Sequence, residues 1–67
     1  MKETAKAVTI DAKDLVKEGV YFSTTNHLVQ VKDINTEKKE LHLFNISEQI
    51  HLYFIPFNRH TLAKRVR

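Results

Sequence analysis

The 67-residue chain has no cysteine, a single glycine and a single proline. Without cysteine it can form neither a disulfide framework nor a thiolate metal site, the two usual means of stabilising very small secreted folds. With one glycine it cannot build the glycine-rich loops that hold phosphates or line an oxyanion hole. These absences predict a non-enzymatic cytoplasmic protein that uses no cofactor.

Long apolar runs are also missing. No window approaches the 18 or so uninterrupted apolar residues that a membrane span needs, and the start M-K-E-T-A-K lacks the hydrophobic centre of a signal peptide. Apolar residues make up 42% of the chain and the net charge is only +3, a composition typical of folded chains. We therefore expect one small domain over residues 1–67, without membrane contact and with nearly all its apolar residues in one core.

Acidic residues are missing from the C-terminal part of the chain. Residues 1–48 contain seven lysines and all eight acidic residues, which sum to −1, and no acid follows Glu48. The four cations that follow are Arg59, Lys64, Arg65 and Arg67. The sequence thus predicts a nearly neutral folded body, residues 7–57, and a basic C-terminal segment, residues 58–67.

Local patterns predict an all-β fold of about five short strands with one short helix near the N-terminus. The helix covers residues 12–18, with Asp11 as N-cap and Gly19 just past its C-terminus, where a left-handed residue often ends a helix. The predicted strands, rich in β-branched and aromatic residues and separated by polar turns, are 7–10, 20–24, 28–34, 41–46 and 50–55. Pro56 ends the last of these. Residues 57–63 predict a helical turn, and residues 64–67 either a final short strand or a loose tail.

The turn between residues 46 and 50 decides which side chains share a face. An even turn gives a core face of Leu41, Leu43, Asn45, Ile50, Leu52 and Phe54. The opposite face then carries His42, Phe44, Ile46, His51, Tyr53 and Ile55. An odd turn would bury a histidine at the centre of the core, so the even turn is favoured. A sheet that is apolar on both faces is expected to bend, to be covered by the helix, or to dimerise.

The order of the elements resembles a small SH3-like β-barrel of the KOW or translation-factor type. The resemblance covers roughly residues 14–67 and is carried by D-L-V-K-E-G-V-Y-F, V-Q-V-K-D-I, L-H-L, I-P-F and the final K-R-V. It implies a bent five-stranded meander. It also implies a binding role, since such modules bind RNA, DNA, ribosomal surfaces or protein tails.

Catalytic and metal-binding motifs are not evident. His42 and His51 lie on neighbouring predicted strands, but no cysteine accompanies them, and a four-residue turn places His42 opposite Tyr53 rather than His51. Ser23 and Ser47 lie in turn-like contexts without a nucleophile elbow. We therefore predict no metal site and no catalytic residue.

The basic segment and the aromatic strands give the leading hypothesis, a module that binds RNA or single-stranded DNA. In this hypothesis the cations Arg59, Lys64, Arg65 and Arg67 contact backbone phosphates. Tyr53 and Tyr21 stack on bases. The plain alternatives are that Tyr21 and Phe44 complete the core, and that the basic run is only a solvated tail.

A second hypothesis uses the surplus apolar face differently. A protein-interaction or self-associating module, acting on a larger complex or forming a homo-oligomer, would bury this face against another chain or add a strand at an open edge. The residues predicted to carry that contact are His42, Phe44, Ile46, Tyr53 and Ile55.

Overall fold

The computed structural model describes residues 9–66, which form five strands and two short 3-10 turns. The elements in chain order are a 3-10 turn Ala12–Asp14, β1 (Val20–Ser23), β2 (Leu28–Asn35), β3 (Glu40–Asn45), β4 (Ile50–Pro56), a second 3-10 turn Phe57–Arg59, and β5 (Leu62–Arg65). The strands form one antiparallel sheet in the order β4-β3-β2-β1-β5. The all-β prediction is confirmed, and this architecture is compatible with an SH3-like fold.

Two similar turns set the register of β2, β3 and β4. Asn35 and Asn45 each begin a four-residue turn, and their Oδ1 atoms accept hydrogen bonds at 3.0 Å from the N–H groups three residues on. Each turn ends on a left-handed residue, Lys39 at φ 56° and Gln49 at φ 58°. Asparagine side chains favour such turns because they replace a backbone hydrogen bond. The predicted even turn is therefore confirmed.

One hydrophobic core lies on the concave side of the sheet. Its buried members are Ala12, Leu15, Tyr21, Val29, Val31, Leu41, Leu43 and Leu62. Four partly buried residues pack against them, Ile10, Ile34, Ile55 and Phe57. Because the outermost strands contribute Ile55 and Leu62 to the same cluster as the central strands, the sheet must curl around this core.

The predicted helix 12–18 is wrong except for its first turn. Only Ala12–Asp14 is helical, Asp11 makes no side-chain capping bond, and the chain is already extended at Leu15. Further on, Glu18 N–H donates to the carbonyl of Val31 at 2.7 Å. Pairing with β2 therefore outcompetes a short helix, which would be marginal by itself.

Gly19 has a different role from the predicted one. Its φ is not positive, and the left-handed residue is Glu18 at φ 71°. A Cβ atom on Gly19 would lie 3.0 Å from the carbonyl oxygen of Val16 and 3.0 Å from Cε1 of Tyr21. The position needs glycine because the chain passes close to Tyr21.

The two ends of the described chain meet at β5. Ala7 and Val8 of the predicted edge strand 7–10 lie outside the described residues, and Thr9 and Ile10 are not in a strand. Ile10 N–H nevertheless donates to the carbonyl of Leu62 at 2.8 Å. The basic segment is thus not a loose tail over its described length, because its residues 62–65 are part of the sheet.

A β-bulge in β4 changes the predicted faces. Leu43 pairs with Leu52 and Leu41 pairs with Ile55, so two residues, Tyr53 and Phe54, lie across from His42 alone. Phe54 adopts the left-handed φ of 58°. A bulge reverses the alternation of side chains beyond it. Phe54 is therefore exposed instead of facing the core, and Ile55 packs on the core instead of lying on the outer face.

Candidate functional site

β4 is an edge strand with an unusually apolar exposed surface. Among residues 9–66 it pairs only with β3, and its residues 50–54 are all exposed. Four of these are large and apolar, Ile50, Leu52, Tyr53 and Phe54. No Asp, Glu, Lys or Arg occurs between Glu48 and Arg59. Since edge strands are commonly protected by charge, this edge can accept a partner.

Four rings form a connected cluster on the outer face of β3 and β4, here called the ring cluster: His42, Phe44, His51 and Tyr53. The centroid of His42 lies 4.3 Å from that of Tyr53, and the centroid of Phe44 lies 4.6 Å from that of His51. His51 and Tyr53 stack at 5.8 Å with an interplanar angle of 18°. The cluster presents ring faces and edges to solvent at the open side of the sheet.

The two histidines of the ring cluster are hydrogen-bonded to each other. Nε2 of His42 lies 2.9 Å from Nδ1 of His51, with the ring centroids 5.1 Å apart. The sequence interpretation placed His42 opposite Tyr53 instead. The structure has both contacts, because His42 lies across from the bulge. Within residues 9–66 no group of three potential metal ligands forms. The histidine pair alone would supply two ligand nitrogens, and these are hydrogen-bonded to each other.

A pocket of about 190 Å³ opens beside the ring cluster. It is lined by Asp33, Asn35, Glu40, Leu41, His42, Tyr53 and Phe54. The register explains this grouping, since His42 pairs with Asp33 on one side and faces the bulge on the other. Asp33 lies 3.7 Å from Nζ of Lys17, in a pair whose two side chains are both well exposed. Glu40 makes no ion pair with another residue of the described chain, so the pocket combines aromatic walls with negative charge.

The predicted nucleic-acid residues lie on different elements of the fold. Arg59 lies in the second 3-10 turn and is exposed, and Lys64 and Arg65 are exposed on β5. Tyr53 is 56% exposed, but it lies on β4 at the other end of the strand order. Arg67 lies outside the described residues.

Tyr21 is not a surface residue, and its proposed stacking role is wrong. Only 1% of its surface is exposed, and its hydroxyl accepts a hydrogen bond from the N–H of Val16 at 2.9 Å. The ring thus completes the core, as the plain alternative held. Its neighbour Phe22 points outward instead, is 38% exposed and pairs with Lys64 of β5. Alternation along β1 could have identified Phe22, whereas no sequence signal identifies the bulge residue Phe54.

His60 is a structural histidine. It is buried, and its Nδ1 accepts a hydrogen bond from the N–H of Leu62 at 3.2 Å. Burial lowers the pKa of His60, and a hydrogen bond with the Ile10 backbone and the nearby charge of Asp11 oppose that shift only in part. The neutral ring therefore belongs to the junction between the N-terminal segment and β5.

Fold and surface together define a small all-β protein with one open, aromatic edge. Comparison with protein-family models, curated proteins and solved structures gives no significant match. Within the described residues, no helix has the length and apolar character needed to cross a membrane.

Proposed function

We propose that this protein is a non-enzymatic, cytoplasmic binding module that holds a segment of a partner polypeptide against β4. The exposed apolar edge of β4 is the observation that carries the proposal. An extended segment can add to such an edge through backbone hydrogen bonds, while side chains on alternate positions give selectivity. Among the roles implied by the resemblance to KOW and translation-factor modules, binding of protein tails agrees best with this surface.

The two faces of β4 offer different contacts to an added strand. Ile50 and Leu52 lie on the core side of the sheet but remain exposed to solvent. His51 and Tyr53 lie on the outer side, where they are part of the ring cluster. Backbone pairing can extend along the regular part of the strand, residues 50–52, before the bulge interrupts it. The proposed interface therefore consists of a short ladder flanked by apolar side chains on one face and rings on the other.

Peptide selection followed by NMR mapping tests this function. The protein is used to select binders from a random peptide library, and one selected peptide is titrated into ¹⁵N-labelled protein. We expect amide shifts concentrated in β3 and β4, with slower hydrogen exchange in β4 on binding. Leu52→Lys should weaken binding at least tenfold, because it places a charge in the apolar edge.

Val66→Lys is the matched control, since Val66 is also apolar and exposed but lies just past β5. It should bind the selected peptide like the unsubstituted protein. Shifts that map away from β4, or equal affinities for the two lysine variants, would overturn the proposed function.

Nucleic-acid binding is the second candidate, and the pairing of Phe22 with Lys64 is the observation that favours it. A ring and a cation side by side on the outer face of β1 and β5 can stack on a base and contact a phosphate. The acidic pocket beside the ring cluster makes β4 a poor phosphate site, so this second site would use β1 and β5 instead.

Fluorescence anisotropy with labelled RNA and single-stranded DNA tests the second candidate. If about three phosphates are contacted, affinity should fall roughly 20-fold between 50 and 200 mM salt. Lys64→Ala should weaken binding, as should the double variant Arg65→Ala and Arg67→Ala, while Lys38→Ala in the turn after β2 should not. Absence of binding at 50 mM salt removes this candidate.

A further inference from the structure

The pocket beside the ring cluster depends on an unfavourable backbone conformation. Phe54 is left-handed at φ 58°, which costs a bulky residue about 1–2 kcal/mol, and the residue is 73% exposed. Neither feature serves the core, which Ile55 reaches instead. What the bulge does achieve is to place Tyr53 and Phe54 side by side, with centroids 6.2 Å apart and planes inclined at 45°.

The chemistry of the pocket is selective for positive charge. Two of its lining residues are carboxylates, Asp33 and Glu40, and none is Lys or Arg. Tyr53 and Phe54 also line the pocket, and aromatic rings attract cations through their quadrupoles. A cation entering this pocket meets carboxylates and aromatic rings, whereas an anion meets like charge.

The chain itself supplies one example of this attraction. Nζ of Lys17 lies 3.7 Å from Oδ1 of Asp33, in a pair that is exposed on both sides. Such exposed pairs contribute little free energy. Glu40, which also lines the pocket, is in no ion pair with a cation of residues 9–66.

The size of the pocket limits what can occupy it. Sites for whole small-molecule ligands are commonly about 300–1,000 Å³, and this pocket is smaller, at about 190 Å³. A long cationic side chain fits this description, because its methylene stem can lie on apolar rings while its charged head reaches the carboxylates.

We infer that the pocket formed by Asp33, Glu40, Tyr53 and Phe54 binds a lysine or arginine side chain of a partner polypeptide. This inference rests on the proposed function and names the residue type that the partner segment contributes next to its β4-paired stretch. The bulge then has a function, since it ends the backbone ladder and begins a side-chain pocket.

Two sets of probes test the pocket and the strand contact separately. The first set is butylammonium and methylguanidinium, with butanol as the uncharged control, titrated into ¹⁵N-labelled protein. The cations should give saturable shifts at Glu40, Tyr53 and Phe54 that butanol does not give. These small probes cannot form a strand, so their result does not depend on β4 pairing.

The second set is four copies of one peptide selected against β4, which differ only at a single position that carries Lys, Arg, norleucine or Glu. The varied position is the peptide residue whose substitution causes the largest change in the amide shifts of the pocket residues. The Lys and Arg peptides should bind at least fivefold more tightly than the norleucine peptide, and the Glu peptide more weakly still. Glu40→Gln and Phe54→Ala should each abolish the preference. Glu37→Gln, which removes an exposed acid in the adjacent turn, should leave it intact.

The outcomes separate the two claims. Equal affinities for the four peptides, with no cation-specific shifts, would overturn the pocket while leaving strand binding in place. Cation-specific shifts without any peptide binding would overturn the proposed function and the polypeptide partner while retaining a cation pocket. Shifts at the same residues that grow with protein concentration alone would assign the surface to a second copy of this chain and overturn the inference.

Discussion

Gly19 stands where the chain leaves the region of the first 3-10 turn and enters β1. Its backbone conformation is open to any residue, but an added Cβ would meet the Val16 carbonyl oxygen and the Tyr21 ring, each at 3.0 Å. Gly19→Ala should therefore destabilise the protein by about 1–3 kcal/mol through overpacking, measured by urea unfolding. Glu37→Ala, in an exposed turn, should change stability by less than about 0.5 kcal/mol. Equal stability of the two variants would contradict the close approach at Gly19.

His60 makes stability depend on pH, again at the scale of one residue. Burial lowers its folded pKa below 6.5, so above that pH the ring is neutral in both states. As pH falls through about 6.5, the unfolded chain binds a proton that the folded chain does not, and the free energy of unfolding decreases. The decrease continues until the lowered folded pKa is reached.

Chemical denaturation between pH 8 and pH 5.5 measures this dependence. His60→Asn can keep an acceptor near the Leu62 N–H and should flatten the curve in that range. Thr36→Ala, in an exposed turn, changes no titratable group and should keep the slope of the unsubstituted protein. A His60→Asn curve parallel to the unsubstituted one would show that His60 is not responsible.

The two asparagine turns allow a comparison at the scale of elements. Asn45 is buried, and besides its turn bond its Nδ2 donates to Nδ1 of His27 at 3.1 Å. Asn35 is exposed and makes only the turn bond to Lys38 within the described chain. Asn45→Ala should therefore cost about 1–3 kcal/mol, because it leaves partly buried polar groups without partners, and Asn35→Ala about 0.5–1 kcal/mol.

Thermal and urea unfolding give both values, with Asn58→Ala in the exposed second 3-10 turn as the control. Equal losses for Asn35→Ala and Asn45→Ala would mean that the contact with His27 contributes nothing. Retained stability in both would mean that the turn sequence, and not the asparagine side chain, sets the register.

Strands and turns were predictable at the element scale, and the short helix and the bulge were not. Alternation, β-branched residues and polar turn residues predicted the strands now seen as β1 to β4 with boundary errors of one residue, and the even turn after Asn45 was correct. The prediction of helix 12–18 was wrong because residues 18 and 19 form hydrogen bonds with Val31. Helix propensity depends on neighbouring residues and takes no account of a partner more than ten residues away. The bulge at Phe54 was not predicted, because the pattern of apolar and polar residues in β4 shows no sign of an inserted residue.

At the scale of the whole molecule, β5 stabilises the curled sheet. Leu62 is fully buried, although it belongs to a segment that the sequence analysis treated as a basic extension of the body. A chain of this length has a total stability of only about 3–10 kcal/mol. Leu62→Ala should remove about 2–5 kcal/mol of it, with a large fall in the midpoint of thermal unfolding followed by circular dichroism.

Val66→Ala, an exposed truncation four residues further on, is the control and should change the midpoint little. A small effect of Leu62→Ala would mean that β5 is peripheral to folding. In that case the C-terminal segment would behave as the solvated tail that was one of the sequence-based alternatives.

At this scale the exposed cations and the exposed apolar edge also lie on different strands. Lys64 and Arg65 lie on β5, one outermost strand of the sheet. The uncharged, apolar edge belongs to β4, the other outermost strand. The nucleic-acid hypothesis combines these cations with Tyr53 in one binding surface. Strand order places them on different strands that do not pair with each other within the described residues, so polypeptide binding at β4 and phosphate binding at β5 are tested by separate experiments.

Composition and alternation by themselves determined the strand content, the turns and the apolar surplus of this protein, because these follow from steric preferences of single residues and their neighbours. Tertiary structure alone decided that Phe54 is exposed and that Asp33 and Glu40 line one pocket with the aromatic rings. Those outcomes depend on strand order and on bulges, which bring together residues distant in the chain. A single sequence contains no local signal for such contacts.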